Sequence, residues 1–274
     1  MRSLFLVAIL MSLHTFLPTT EKAEADPRIA ADEWTLVWSD EFQDDGQPNP
    51  KNWTYEHGFV RNSEYQWYQP ENATCRNGLL IIEARKERKL NSFYAAYTSS
   101  SLTTQGLHAW RFGRFEMRGR IDTRAGLWPA FWTLGVKGNW PGNGEIDIME
   151  YYRGILLANA AWGTNKKNVA RWDDSRKPIA SFPDADWSNQ FHIWRMDWDS
   201  NRIEIYVDDM LLNEVDLNKT FNEDREKKNP FREPHYLLLN LAIGGTSGGD
   251  PSNTQFPARF EVDYVRVYQK TNPR

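Results

Sequence analysis

One cysteine stands in the whole chain, Cys75. No internal disulfide can staple the fold, so its stability must come from a packed core. No apolar run reaches the ~20 residues that a membrane-spanning helix needs. Low-complexity linkers, internal repeats and shifts of composition are missing after residue 32, which leaves no seam between domains. Charge of neither sign dominates. The formal net charge is −4, which argues against nucleic acid or a polyanion as the main partner. Helical periodicity is scarce as well, and only a short, strongly polar stretch at residues 216–227 reads as helix.

What is present begins with a removable leader. Arg2 precedes an apolar stretch over residues 4–17, and Ala23-Glu24-Ala25 has the small-x-small form of a signal-peptidase site. Residues 1–25 therefore read as a secretory signal peptide with Asp26 as the mature start. A secreted or periplasmic protein follows, and no cysteine follows the apolar run to take a lipid anchor. Cleavage removes Arg2 and Lys22 together with Glu21 and Glu24, so the mature charge stays at −4. Residues 26–274 suit one large all-β domain that buries its own core. The expectation is a monomer that does not enter a membrane.

Aromatics are abundant: 13 Trp, 11 Tyr and 14 Phe. A core uses several, and the excess suggests that some rings line a surface where flat sugar faces stack. Period-two alternation recurs between Gly, Pro, Asn and Asp clusters, the pattern of an all-β chain. In residues 114–121, Phe115, Met117 and Ile121 oppose Arg114, Glu116, Arg118 and Arg120. Residues 79–84, 192–198, 203–207 and 260–268 behave as further strands. Residues 236–243 are apolar on both faces except for Asn240, as in a central strand. These segments predict a two-sheet sandwich.

Chemistry concentrates in Gly144-Glu145-Ile146-Asp147-Ile148-Met149-Glu150-Tyr151. On a regular strand Glu145 and Asp147 share a face, while Glu150 points the other way. One inserted residue, a β-bulge near Ile148 and Met149, returns Glu150 to that face. Three adjacent carboxylates repel one another, and one site relieves this by holding a proton. A nucleophilic carboxylate beside a protonated acid is what a retaining glycosidase needs, and Asp147 between them would keep their pKa values apart. A merely solvated acidic face or a calcium site are the competing readings of this segment by itself.

The chain resembles glycoside hydrolase family 16, in particular its laminarinase-like β-glucanases, across nearly all of the mature sequence. The resemblance rests on Trp38-Ser39-Asp40-Glu41-Phe42, Asn62-Ser63-Glu64-Tyr65-Gln66-Trp67-Tyr68, Phe112-Gly113-Arg114-Phe115-Glu116 and Leu127-Trp128-Pro129-Ala130-Phe131-Trp132. The Glu-x-Asp-x-x-Glu core, Asn240-Leu241-Ala242-Ile243-Gly244-Gly245 and Val262-Asp263-Tyr264-Val265-Arg266-Val267-Tyr268 complete it. It implies a β-jelly-roll sandwich of two antiparallel sheets with a concave substrate cleft, and hydrolysis with retention. Glu145 then matches the nucleophile, Glu150 the acid/base and Asp147 the assisting acid, with no cofactor for catalysis. Asn62, Glu64, Arg114, Trp128, Trp132, Trp162 and Asn240 are the candidate substrate contacts. Glu41, the Gly78 carbonyl and Asp263 match a structural calcium site of the family.

Beyond the catalytic segment the resemblance weakens. Relatives of this branch carry a cleft-facing histidine on the next strand, but residues 152–164 hold none and place Trp162 near the cleft. The loop expected at residues 165–183 also departs from the glucanase pattern. The resemblance therefore implies endo-cleavage of a polysaccharide, β-1,3- or mixed β-1,3/1,4-glucan first. An endo-β-galactosidase on agar-type, poly-N-acetyllactosamine or keratan-type chains is the alternative. A non-catalytic carbohydrate-binding jelly roll is the rival from another class.

Overall fold

The computed structural model describes residues 34–89 and 95–270, and the leader and its cleavage site lie outside them. The strands in chain order are β1 (Trp34–Asp40), β2 (Thr54–Tyr55), β3 (Gln66–Tyr68), β4 (Ala73–Arg76), β5 (Leu79–Ala84) and β6 (Tyr97–Ser99). They continue as β7 (Ser101–Thr103), β8 (Gly113–Arg120), β9 (Leu127–Gly135), β10 (Glu145–Tyr152), β11 (Ile155–Gly163) and β12 (Ala170–Pro178). The last five are β13 (His192–Trp198), β14 (Arg202–Val207), β15 (Met210–Asp216), β16 (His235–Ile243) and β17 (Ala258–Lys270).

Fifteen of these strands form two antiparallel sheets packed face to face, and β3 and β6 pair in parallel as a small sheet of their own. One sheet runs β15-β14-β13-β8-β17-β5-β4, with β1 also paired to β17, and the other runs β12-β11-β10-β9-β16-β7-β2. The jelly-roll sandwich follows from alternation. Phe115 and Met117 of β8 turn inward with Trp194, Met196 and Trp198 of β13, and meet Phe131, Ile146, Ile148, Leu237 and Leu239 of the second sheet. Cys75 is a free, buried member of this core. Apolar burial at ~25 cal/mol per Å² is the main stabilising term for such a core.

Strand β16 is buried at every residue because both of its faces are covered. Leu237, Leu239, Leu241 and Ile243 enter the core, while Tyr236 and Leu238 pack with Ala130 and Trp132 in a second cluster on the opposite face. Residues 216–227 are not helical. Asp216 ends β15 and accepts from the backbone N–H of Asn218, and Asp224 accepts from those of Glu226 and Lys227. Short side-chain-to-backbone bonds of this kind compete with helix formation. The expected loop at 165–183 holds a full strand instead, β12, paired along its length with β11.

Candidate active site

The second sheet positions the acids. Opposite β11, Asp147 pairs with Asn159 and Glu150 with Leu157, so three steps on β10 match two on β11. Against β9 the register shifts between Asp147 and Met149. The expected bulge is present, and Glu145, Asp147 and Glu150 all line one cleft of about 610 Å³. Strand pairing sets them in three rows across the floor. Trp172, Ala161, Glu145, Leu134 and Tyr236 form one row; Asp174, Asn159, Asp147, Trp132 and Leu238 form the next. The third is Arg176, Leu157, Glu150, Ala130 and Asn240.

Each glutamate takes an indole N–H. Trp140 donates from Nε1 to Glu145 Oε2 at 2.9 Å, and Trp128 donates from Nε1 to Glu150 Oε1 at 2.7 Å. Asn159 Nδ2 lies 3.2 Å from Asp147 Oδ2 and 3.4 Å from Glu150 Oε2, donating to both. Asp147 is therefore held by Asn159. Loss of solvent raises all three acids. Burial and then the charge of Asp147 push Glu150 well above the usual carboxylate range, with Glu64 adding to the rise and Trp128 opposing it. Burial likewise lifts Glu145, with Asp147 and Glu150 adding, while the Trp140 bond and Arg61 favour its ionised form. Asp147 is pushed up to about 7 by burial, against the Asn159 bond. The cluster thus holds a proton near neutrality. Asp147 raises both glutamates, so the proton is shared among adjacent acids, with Trp140 and Arg61 opposing the rise at Glu145 and Trp128 and Arg176 opposing it at Glu150.

Asn62, Glu64, Trp128, Trp132 and Asn240 all reach the cleft. Glu64 accepts from Gln66 Nε2 at 2.7 Å, from Tyr68 Oη at 3.2 Å and from Asn62 Nδ2 at 3.2 Å. The lone polar position of β16 is satisfied by protein: Asn240 accepts from Trp132 Nε1 at 2.7 Å and donates to Tyr68 Oη at 3.2 Å. Gly245 closes this corner at φ +67°, and a Cβ there would sit 2.7 Å from the Asn62 carbonyl oxygen. Only glycine lets the loop after β16 approach Asn62 and Glu64 so closely.

Other expected contacts lie elsewhere. Arg114 is on β8 of the opposite sheet and makes a two-pronged ion pair with Asp197 at 2.6 and 2.7 Å. Its neighbour Glu116 accepts from Tyr264 Oη. Trp162 points into the sandwich core beside Phe231, because Leu157 and Asn159 take the cleft side of β11 and position 162 has the other parity. The calcium positions do not fit an ion in this arrangement. Both oxygens of Glu41 accept from Arg266 at 2.9 Å, and Asp263 accepts from Arg118 at 2.8 Å. Two arginines already neutralise those carboxylates, and the described residues hold no group of three metal-binding side chains.

Sequence reasoning missed Arg61, Trp140, Tyr152, Asn159, Trp172, Asp174 and Arg176, all lining the cleft. The alternation of Trp172, Asp174 and Arg176 with Asp173 and Ser175 was the available signal, but neither face of that stretch is apolar.

A jelly roll that holds two glutamates on one bulged strand, at the floor of an open cleft rimmed by indoles, defines an O-glycosyl hydrolase. The family model of glycosyl hydrolases family 16 matches residues 61–266, and the chain belongs to that family. A β-glucanase of Rhodothermus marinus is 37% identical, over 87% of this chain and 86% of that protein. A keratan-sulfate endo-1,4-β-galactosidase of Sphingobacterium multivorum is 27% identical, over 92% of this chain and 61% of that one. A solved structure, from work on endo-acting O-glycanases that prominent human gut bacteria express to initiate mucin breakdown, aligns at TM-score 0.79. It is 33% identical and covers 89% of this chain and 93% of its own.

Proposed function

We propose that this chain is an endo-acting, retaining hydrolase of β-1,3- or mixed β-1,3/1,4-glucan. The observation that carries the reading is the place of β10 within the cleft. Lining residues come from β12, β11, β10, β9 and β16, consecutive strands with β10 in the middle. Strands are spaced ~4.8 Å apart, so the floor extends about 10 Å to either side of the acids. A polymer crossing it continues past the catalytic strand in both directions, and the cut falls at an internal linkage.

The chemistry needs only residues already in place. A Glu145 carboxylate oxygen attacks the anomeric carbon, the glycosidic C–O bond breaks, and Glu150 gives its proton to the departing oxygen. A glycosyl ester on Glu145 remains. Glu150, now a carboxylate, takes a proton from water as that water attacks the same carbon, and Glu145 leaves ionised. Two inversions give net retention. Asp147 and Asn159 keep Glu150 oriented, and the raised pKa of Glu150 keeps the acid protonated toward neutral pH.

A second reading, an endo-β-galactosidase of lactosamine-type or agar-type chains, is favoured by one feature. Asn159 flanks the acids on the segment where the histidine of the glucanase branch is missing, and the charged strand β12 lines the cleft beyond it. The similarity to the keratan-sulfate galactosidase and the O-glycanase structure supports the same reading. Release of reducing sugar from laminarin, lichenan, agarose and keratan-type glycans separates the two. The first reading expects oligosaccharides from laminarin or lichenan, and an enzyme inert on both while cutting a galactose-based chain belongs to the second.

Export is part of the proposal. Mass spectrometry of the protein recovered from a secreting host is expected to find a chain beginning at Asp26. An intact Met1 in that material would remove the leader from the account.

A further inference from the structure

We propose that β12 carries a sugar-binding subsite of its own, two strands from the catalytic carboxylates, built from Trp172, Asp174 and Arg176 and shaped for a neutral hexopyranose of the substrate chain. The inference rests on the endo-hydrolase reading and extends it.

A pyranose ring binds by laying its apolar face on an exposed aromatic ring. The two cleft tryptophans on β9 offer little such area. Trp128 and Trp132 are each only 7% exposed. The first is tied to Glu150, and the second is tied to Asn240 under the Arg61 guanidinium, 5.0 Å above its ring. The exposed indoles of the cleft are Trp140 and Trp172, at 40% and 44%. Trp140 is committed through its N–H to the nucleophile. Trp172 stands on the outermost strand of the sheet, in the Glu145 row, with the small Ala161 between them. That neighbour does not cover the ring.

An exposed indole on an edge strand invites aggregation, which chains usually prevent with charge. Here Arg171, Asp173, Asp174, Arg176 and Lys177 supply the charge, yet the tryptophan is retained on the cleft side. The next two positions on that side are Asp174 and Arg176. Arg176 Nε donates to Asp174 Oδ2 at 3.0 Å, with side chains 65% and 46% exposed. An ion pair so exposed contributes little to folding, but it presents a donor fork and acceptor oxygens to sugar hydroxyls beside the ring. The strand is braced from behind. Ser175 donates to the Leu212 carbonyl, and Asn213 Nδ2 donates to Asp173 Oδ1 at 3.1 Å. The subsite is therefore preformed, which lowers the ordering penalty of binding.

Charge selects the occupant. Glu64, Glu145, Asp147, Glu150 and Asp174 face the cleft against Arg61 and Arg176. This excess of acids repels a sulfated or carboxylated sugar and admits a neutral one.

The test uses the full-length mature enzyme and oligosaccharides of increasing length from whichever of the four polymers it cleaves. Trp172→Ala is expected to lower kcat/KM on long chains about 10- to 100-fold, the worth of one aromatic contact. The loss should shrink steadily as chains become too short to reach β12. Trp172→Phe, which keeps a ring, should recover most of the activity, and the double variant Asp174→Ala, Arg176→Ala should show the same length dependence. Equal losses at every chain length, or no loss on the polymer, overturn the subsite. Failure of the unmodified enzyme to cleave any of the four polymers overturns the parent reading instead.

Discussion

Glu145→Ala is expected to lower kcat by about five orders of magnitude, and millimolar azide or formate should then restore turnover with inverted products. Alanine leaves a space where the carboxylate stood, and a small anion entering it attacks the anomeric carbon once. Glu150→Ala is expected to fail differently. With the acid gone, substrates with good leaving groups such as aryl glycosides should survive far better than the polymer, and azide should yield retained glycosyl azides. The contrast follows from the two roles: an external anion can stand in for a missing nucleophile, whereas a missing acid matters least where the leaving group needs no proton. Rescue of both variants with the same anomeric outcome would show that the two roles are wrongly divided.

Asp147→Asn should stabilise the fold while weakening the enzyme. Asp147 is buried, with its pKa pushed up to about 7 by loss of solvent. An unfolded aspartate titrates near ~3.9. Between those values the folded state holds a proton that the unfolded state has released, so stability falls as pH rises through the window. Asparagine removes that penalty and still offers an oxygen to Asn159. The expected gain is on the order of 1–3 kcal/mol at pH 7.5, vanishing near pH 4, and denaturant melts at the two pH values measure it. Activity should drop about 10- to 100-fold. Without the Asp147 charge the pKa of Glu150 falls, so the alkaline limb of kcat/KM should move to lower pH. A limb that moved upward would contradict the assignment of that charge.

Much of this site was legible in the chain because its rules are local. Spacing within residues 145–150 demanded a bulge if the acids were to meet, and the register shift lies there. Asn240, isolated in an apolar run, had to find a partner, and Tyr68 and Trp132 supply it. What stayed hidden depends on which face of which sheet a residue meets. Residues 155–163 are almost wholly apolar, so their parity is unreadable until Asn159 is seen opposite Asp147; Trp162 then falls to the core. Arg114 shows the same ambiguity, since the outer faces of both sheets are polar and nothing in β8 says which one holds the cleft. Strand β12 escaped because hydrophobic periodicity cannot mark a strand with two polar faces. Asx turns at Asp216 and Asp224 defeated the helical reading of the segment between them.

The central claim is a nucleophile and an acid/base acting in turn from one bulged strand. Proton NMR of the first product formed by the unmodified enzyme, read before mutarotation, tests it most directly. The account predicts the β-anomer at the new reducing end, the configuration of the linkage that was cut. The α-anomer as first product would mean a single displacement by water and would contradict a covalent intermediate on Glu145.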